Sequence, residues 1–96
     1  MPFAIVLAPE SVEDLARLKA TSRTAVKAAL ETHLRHEPQK TSRSRIKRLR
    51  GLSRPQYRLR VGDIRVFYDV AEEVVEVLAI VPKSETASWL AQFGKL

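Results

Sequence analysis

The fold is decided by residues 57–68, YRLRVGDIRVFY. Apolar and basic side chains alternate on both sides of Gly62-Asp63, and a period of two is typical of a half-exposed β-strand. A Gly-Asp pair between two alternating runs predicts a two-residue hairpin turn, because glycine readily adopts the positive φ that such a turn requires. The sequence therefore predicts two antiparallel strands at the centre of the fold.

The predicted turn fixes which residues face each other across the hairpin. Arg60 faces Arg65, and Arg58 faces Phe67 on the same side of the sheet. Like charges placed opposite each other destabilise a sheet by roughly a few tenths of a kcal/mol, so folding alone does not favour this arrangement. Guanidinium groups match phosphate oxygens bidentately and stay charged, and the three arginines are therefore predicted to bind phosphates.

The remaining elements follow from the apolar runs on either side of the hairpin. The predicted order is a strand over residues 3–8, a helix over 9–18, a break at Thr21-Ser22, a second helix ending at Pro38, a loop or short helical turn over 39–55, the hairpin, a third meander strand over 74–81 and a helix over 84–93. This order predicts one α+β domain spanning residues 1–96, in which a helical hairpin packs on one face of a three-stranded antiparallel meander.

Regular alternation also predicts the two faces of the meander. The face under the helices is predicted to hold Tyr57, Tyr68, Val75, Val77, Ala79 and Val81. The opposite face is predicted to hold Leu78 and Ile80 beside the arginines. Phe67 shares that opposite face, where it can stack on a base or contact a protein partner.

Charge is concentrated around the hairpin. The chain has 17 Lys plus Arg against 11 Asp plus Glu, and between Lys40 and Arg65 the only acidic residue is Asp63. Such an imbalance is typical of proteins that bind nucleic acids. Lys47, Arg48, Arg50 and Lys83 are predicted to extend the phosphate-binding track of the three arginines.

Several classes of protein are excluded by composition. The 45% apolar and 29% charged residues indicate a globular chain rather than a disordered one. The absence of cysteine rules out a disulfide framework and thiolate sites, and His33 and His36 without clustered carboxylates do not predict a metal site. The apolar run between Pro2 and Pro9 is too short to span a bilayer. We therefore expect a cytoplasmic protein without a membrane segment, metal or other cofactor.

Three segments of the sequence resemble the RelE/ParE superfamily of toxins from bacterial toxin–antitoxin pairs. They are RLRGL at residues 48–52, QYRLRVGDIRVFY at 56–68 and VLAIV at 77–81. In the RelE branch, the resemblance implies a ribosome-dependent endonuclease that cuts mRNA and is neutralised by an antitoxin wrapped around it in a hetero-oligomer. The basic residues of that family's second and third strands then correspond to Arg58, Arg60 and Arg65.

The implied reaction is attack of a ribose 2′-OH on the adjacent phosphate, which needs charge stabilisation and proton transfer. Arginine supplies only the first, because a guanidinium does not deprotonate in proteins. RelE-type enzymes also have a basic residue and a tyrosine after the last strand, where this chain offers Lys83 and Glu85. Arg58, Arg60, Arg65 and Lys83 are therefore the predicted catalytic residues.

Two other functions remain open at this stage. A ParE-like protein inhibits DNA gyrase by binding it and needs no nuclease chemistry. A non-catalytic module that binds RNA or the ribosome needs only the basic surface, and its binding would depend steeply on salt.

Overall fold

Five strands and three helices make up the fold, and the computed structural model describes all 96 residues. The elements are β1 (Ala4–Leu7), α1 (Pro9–Arg17), α2 (Ala20–Ala29) with a π-helical continuation (Leu30–Leu34), β2 (Ile46–Arg48), β3 (Tyr57–Val61), β4 (Ile64–Ala71), β5 (Val74–Pro82), a 3₁₀ turn (Lys83–Glu85) and α3 (Thr86–Phe93). The α+β class and the order of the predicted elements are confirmed. No helix has the length and hydropathy that a membrane crossing requires.

The strands form one sheet in the order β1-β5-β4-β3-β2. The predicted meander β3-β4-β5 is antiparallel throughout, while β1 lies parallel to β5 on one side. On the other side, β2 pairs with β3. The prediction of a loop or helical turn over residues 39–55 is therefore wrong at Ile46–Arg48: three residues are too few to show a period of two, and their strand pairing depends on β3.

The boundary between α1 and α2 lies at Leu18-Lys19 rather than at the predicted Thr21-Ser22. Both boundary residues have extended backbones, with ψ near 150° (152° and 153°). Thr21 and Ser22 instead occupy the first turn of α2. Residues that favour caps and turns are tolerated there, since the first N–H groups of a helix have no intrahelical partner.

The main core lies between the sheet and the pair α1 and α2, on what we call the helix face. Its buried side chains are Val26, Leu30, Leu34, Ile46, Tyr57, Leu59, Val66, Tyr68, Val70, Val75, Val77 and Ile80. The predicted burial of both tyrosines is confirmed: their rings stack with centroids 5.4 Å apart. The Tyr68 hydroxyl donates a hydrogen bond to the Pro38 carbonyl at 2.6 Å, and burial raises the pKa of that hydroxyl well above its usual range.

A β-bulge at Leu78 makes the predicted faces of β5 wrong for the residues that follow it. Tyr68 pairs with Val77 but Phe67 pairs with Ala79, so Leu78 is left without a partner. The extra residue reverses the alternation: Ile80 enters the main core, whereas Ala79 and Val81 lie on the opposite face. Two polar side chains of α1 bracket the bulge.

These side chains form hydrogen bonds with backbone groups on either side of the bulge. The Ser11 hydroxyl donates to the Val77 carbonyl at 3.0 Å, and the Asp14 carboxylate accepts from the Ile80 N–H at 2.9 Å. The register therefore depends on contacts made across 66 residues of chain.

The last helix, α3, packs on the face of the sheet opposite α1 and α2. The Trp89 ring stacks on Phe67 with centroids 4.9 Å apart and planes 5° from parallel. Ala79, Val81 and Leu90 complete this small second core. Beyond the helix, the Lys95 N–H donates to the carbonyl of Arg54 at 2.7 Å and ties the end of the chain to the segment before β3.

Candidate nucleic-acid interface

Four basic residues lie in neighbouring positions on the face opposite α1 and α2. Arg60 is paired with Arg65, and Arg58 stands between Phe67 on one side and Lys47 of β2 on the other. The register predicted from the hairpin turn is thus confirmed, and the predicted turn contains Gly62 at φ 57°. We refer to Lys47, Arg58, Arg60 and Arg65 as the cationic cluster.

Arg58 is at the centre of this cluster and is the most constrained of its members. Its Nε is buried and has no hydrogen-bond partner, while one terminal nitrogen donates to the Ser44 carbonyl at 3.3 Å. Burial, and then the charges of Arg65 and Arg60, lower the pKa of Arg58 from its usual value. A buried donor without an acceptor costs about 1–3 kcal/mol, so folding alone does not favour this position of Arg58.

Arg65 and Arg60 differ in exposure although they face each other. The Arg65 side chain is only 8% exposed, and its Nη1 donates to the carbonyls of Gly62 at 2.8 Å and Ile64 at 3.1 Å. Arg60 is exposed, and its side chain forms no ion pair. Arg65 is therefore held by the hairpin turn, whereas Arg60 is free to reach a ligand.

No carboxylate neutralises the cationic cluster. Asp69 and Glu76 are paired with each other on β4 and β5, at the far end of the same face, as the register predicts. Arg54 binds both of them, with nitrogen–oxygen distances of 3.1 Å to Asp69 and 3.2 Å to Glu76. Asp69 also accepts from the Gln56 N–H at 2.7 Å. The acidic groups of this face are therefore satisfied without the cluster.

Three residues predicted to bind RNA lie outside the cluster. Phe67 is 1% exposed beneath Trp89, so the expectation of a ring accessible to a base or a partner is wrong. Arg48 extends to the helix face, where its guanidinium lies 5.1 Å from the centre of the Tyr57 ring. Arg50 is exposed beyond the end of β2. Of the predicted extensions from this segment, only Lys47 lies in register with the arginines.

Lys83 lies at the hairpin end of the sheet. Its N–H donates to the Asp63 carbonyl at 2.7 Å, and the residue follows Val81, the partner of Arg65, by two positions. Lys83 and Glu85 are both exposed in the 3₁₀ turn, and neither forms an ion pair. The backbone of Lys83 therefore lies at the hairpin turn, near the strand ends that carry Arg60 and Arg65, whereas no contact links Glu85 to the cluster.

Two features of this face were not predicted from the sequence. The aromatic contact between Trp89 and Phe67 had a signal in the apolar residues of α3, but nothing in that segment indicates where the helix packs. The role of Arg54 had none, because its partners are 15 and 22 residues away in the chain. Arg54 is the one arginine between Lys40 and Arg65 that forms ion pairs with carboxylates.

The fold is that of a small α+β protein with two helices on one face of its sheet and an unneutralised arginine cluster on the other. A family model described as "ParE toxin of type II toxin-antitoxin system, parDE" matches residues 5–87. The match covers most of the chain, and the chain belongs to this family of toxins of type II toxin–antitoxin systems.

Solved structures confirm the fold. A mutant of the Escherichia coli toxin RelE in the free state superimposes with a TM-score of 0.73 at 21% identity, covering 96% of this chain and 93% of that one. A chain of the archaeal RelE–RelB complex from Pyrococcus horikoshii gives a TM-score of 0.72 at 24% identity, covering 90% of this chain and 100% of that one. The RelB–RelE complex from Methanococcus jannaschii gives 0.67 at 19%, covering 88% and 96%. No curated protein sequence matches significantly.

Proposed function

We propose that this toxin binds RNA through the cationic cluster and promotes its cleavage, as a RelE-like mRNA endonuclease that inhibits translation. The observation that supports this most strongly is that Arg58, Arg60 and Arg65 share one face of the sheet without a carboxylate partner. Exposed Arg60 lies next to Arg58 towards the hairpin turn, so a phosphate bound at this face can accept from more than one guanidinium group. Guanidinium donors suit phosphate because their planar fork matches two oxygens at once.

The proposed reaction uses the RNA's own nucleophile. The 2′-oxygen attacks the adjacent phosphorus, the bond to the 5′-oxygen breaks, and the products are a 2′,3′-cyclic phosphate and a 5′-hydroxyl. Arg58, Arg60 and Arg65 stabilise the charge that builds on the phosphate oxygens. Lys83 donates the proton that the leaving oxygen needs, and Glu85 accepts the proton of the 2′-OH.

Cleavage of mRNA on programmed ribosomes under single-turnover conditions tests this proposal. The natural RNA should be cut, whereas a 2′-deoxy substitution at the cut site should abolish cleavage. Arg60→Gln should remove activity without unfolding the protein, because Arg60 is exposed and makes no ion pair. Lys27→Gln, on the outer surface of α2, removes the same charge far from the cluster and should cut normally. Equal cutting of the deoxy substrate would contradict the mechanism.

A ParE-like inhibitor of DNA gyrase is the second candidate. The family description and the composition of the cluster favour it: no histidine or tyrosine lies among the four cations, since Tyr57 and Tyr68 are in the core of the helix face. Inhibition by binding requires no proton transfer. Purified toxin should then block DNA supercoiling by gyrase while leaving ribosome-bound mRNA intact, and the reverse pattern supports the endonuclease.

We propose an antitoxin as the protein partner of this chain. The structures from Pyrococcus horikoshii and Methanococcus jannaschii are complexes of RelE with RelB. A formal charge of +6 favours an acidic partner that covers the cationic cluster and so blocks the active face. Co-expression with the product of the adjacent gene should yield a stable hetero-oligomer without toxicity. Toxicity that persists despite formation of the complex would contradict a blocking role.

A further inference from the structure

A second group of basic residues lies on the helix side of β2 and surrounds an open pocket of about 240 Å³. The pocket is lined by Thr32, His33, Glu37, Lys40, Thr41, Ser42, Arg45 and Ile46. Its lining combines an imidazole, an ammonium and a guanidinium group with three hydroxyl groups, a set of donors suited to an anion with several oxygens.

The charges of this pocket are not balanced from within. Glu37 is its only carboxylate, and it is paired with Lys40 at 3.6 Å. Arg45 forms no ion pair, yet its charge is close enough to lower the pKa of His33, although burial lowers that pKa more. The lowered pKa favours neutral His33, which can donate one N–H to an oxyanion held by the unpaired charge of Arg45.

Hydroxyl groups are available to complete the coordination of an anion. The Ser42 oxygen already accepts from the N–H groups of Arg45 at 3.0 Å and Ile46 at 3.2 Å, which leaves its own proton free to donate. The side chains of Thr32 and Thr41 form no hydrogen bond within the chain. The pocket therefore contains neutral as well as charged donors.

The pocket is connected to the cationic cluster through the backbone of the sheet edge. The Arg60 N–H donates to the Arg45 carbonyl at 2.8 Å, so these two residues lie side by side although Arg45 lines the pocket. Lys47, two residues further along β2, is paired with Arg58 on the cluster face. Basic side chains thus continue from one face of the sheet around its edge to the other.

We propose that the pocket formed by His33, Lys40 and Arg45 is a second phosphate site, which holds a neighbouring phosphate of the same RNA strand as it passes around the β2 edge. This inference rests on the RNA binding proposed above, although it does not depend on cleavage. The pocket then serves to position the RNA strand. The cationic cluster binds the phosphate at the reacting position, and the pocket extends the length of RNA that the toxin holds.

Binding of two non-cleavable RNAs tests the proposal. A 2′-O-methyl oligouridylate of about 4 nucleotides covers the cluster alone, whereas one of about 16 nucleotides can reach both sites, a range typical of small single-strand binders. Removing two phosphate contacts should reduce the slope of log K against log salt by about 1.4 for a single strand. Lys40→Ala with Arg45→Ala should show this reduction with the long RNA and bind the short RNA normally.

Controls separate this inference from the proposed function. Lys19→Ala with Lys27→Ala removes the same charge from exposed positions of the helical region and should leave both slopes unchanged. The His33 imidazole resonances should move with the long RNA only. An unchanged slope for the long RNA in the Lys40, Arg45 double variant overturns the second site, as does equal weakening with the short RNA. If the wild-type protein binds neither RNA, the proposed RNA function itself fails.

Discussion

The two faces of the sheet differ in whether their buried polar groups have hydrogen-bond partners. On the helix face, Tyr68, Ser11 and Asp14 each have a hydrogen-bond partner, and the surrounding core is apolar. On the opposite face, the only buried side-chain nitrogen or oxygen without a partner belongs to Arg58. Buried polar groups are usually satisfied, so the exception indicates a site shaped for something other than stability. The helix face maintains the fold, and the opposite face is divided between support and function.

That division is visible along the opposite face itself. At one end, Arg54 forms ion pairs with Asp69 and Glu76, and in the middle Trp89 covers Phe67. At the hairpin end, Arg60 faces Arg65 with no acid between them. Only at Arg60, which is exposed and forms no ion pair, is removal of the charge predicted to cost little or no stability. Substitutions can therefore rank the regions by their contribution to the free energy of unfolding.

The largest loss is expected in the core of the helix face. Leu59 is fully buried among Ile46, Val66 and the helices, so Leu59→Ala should lower the free energy of unfolding by about 2–5 kcal/mol. Urea denaturation followed by circular dichroism measures this. Leu96→Ala, at a side chain that is 98% exposed, should change it by less than about 0.5 kcal/mol. A similar loss in both variants would contradict the assignment of the main core.

An intermediate loss is expected where α3 covers the opposite face. Trp89→Ala removes a half-buried ring and its stacking on Phe67, an aromatic contact worth about 0.5–1.5 kcal/mol beyond the area it buries. We expect a total loss of about 1–3 kcal/mol in urea denaturation. Phe93→Ala, whose ring is 52% exposed, should cost less. A loss from Trp89→Ala as large as that from Leu59→Ala would show that both faces contribute equally.

The contrast between the faces also explains what could be read from the sequence. The hairpin register was predictable because Gly62-Asp63 is a local signal that fixes every pair from Val61 to Arg58. The bulge was not predictable, because it is set by Ser11 and Asp14 of α1, which are distant in sequence from Val77 and Ile80. The position of the arginines on one face therefore followed from the local sequence. Which residues of β5 share that face did not.

The same distinction applies to the candidate site. Arg58, Arg60 and Arg65 come together as the alternation implies, since a strand period needs no tertiary information. The burial of Phe67 depends on where α3 packs, and the orientation of Arg48 depends on the pairing of a three-residue strand. Neither contact has a signature in its own segment. Sequence patterns predicted the charges of the site and missed the aromatic cover beside it.

A smaller loss is expected from the ion pairs at the far end of the opposite face. Arg54→Met removes the partner of Asp69 and Glu76 but keeps an aliphatic stem of similar length. These pairs are partly exposed, so we expect a loss of about 0.5–1 kcal/mol that diminishes at high salt. Arg50→Met, at an exposed arginine with no ion pair, is the matched control and should be neutral. A salt-independent loss would point to packing rather than charge.

The smallest effect, and the only one with the opposite sign, is expected at Arg60. Arg60→Gln keeps a polar side chain but removes the charge that faces Arg65, so the free energy of unfolding should rise by roughly a few tenths of a kcal/mol. The gain should be greatest near 0.01 M salt, where charges act over about 30 Å, and should vanish near 1 M, where they act over about 3 Å. Denaturation at the two salt concentrations measures the difference. A clear destabilisation would mean that Arg60 has a stabilising role within the fold. A gain in stability together with lost activity would instead show that the repulsion between Arg60 and Arg65 is kept because ligand binding requires both charges.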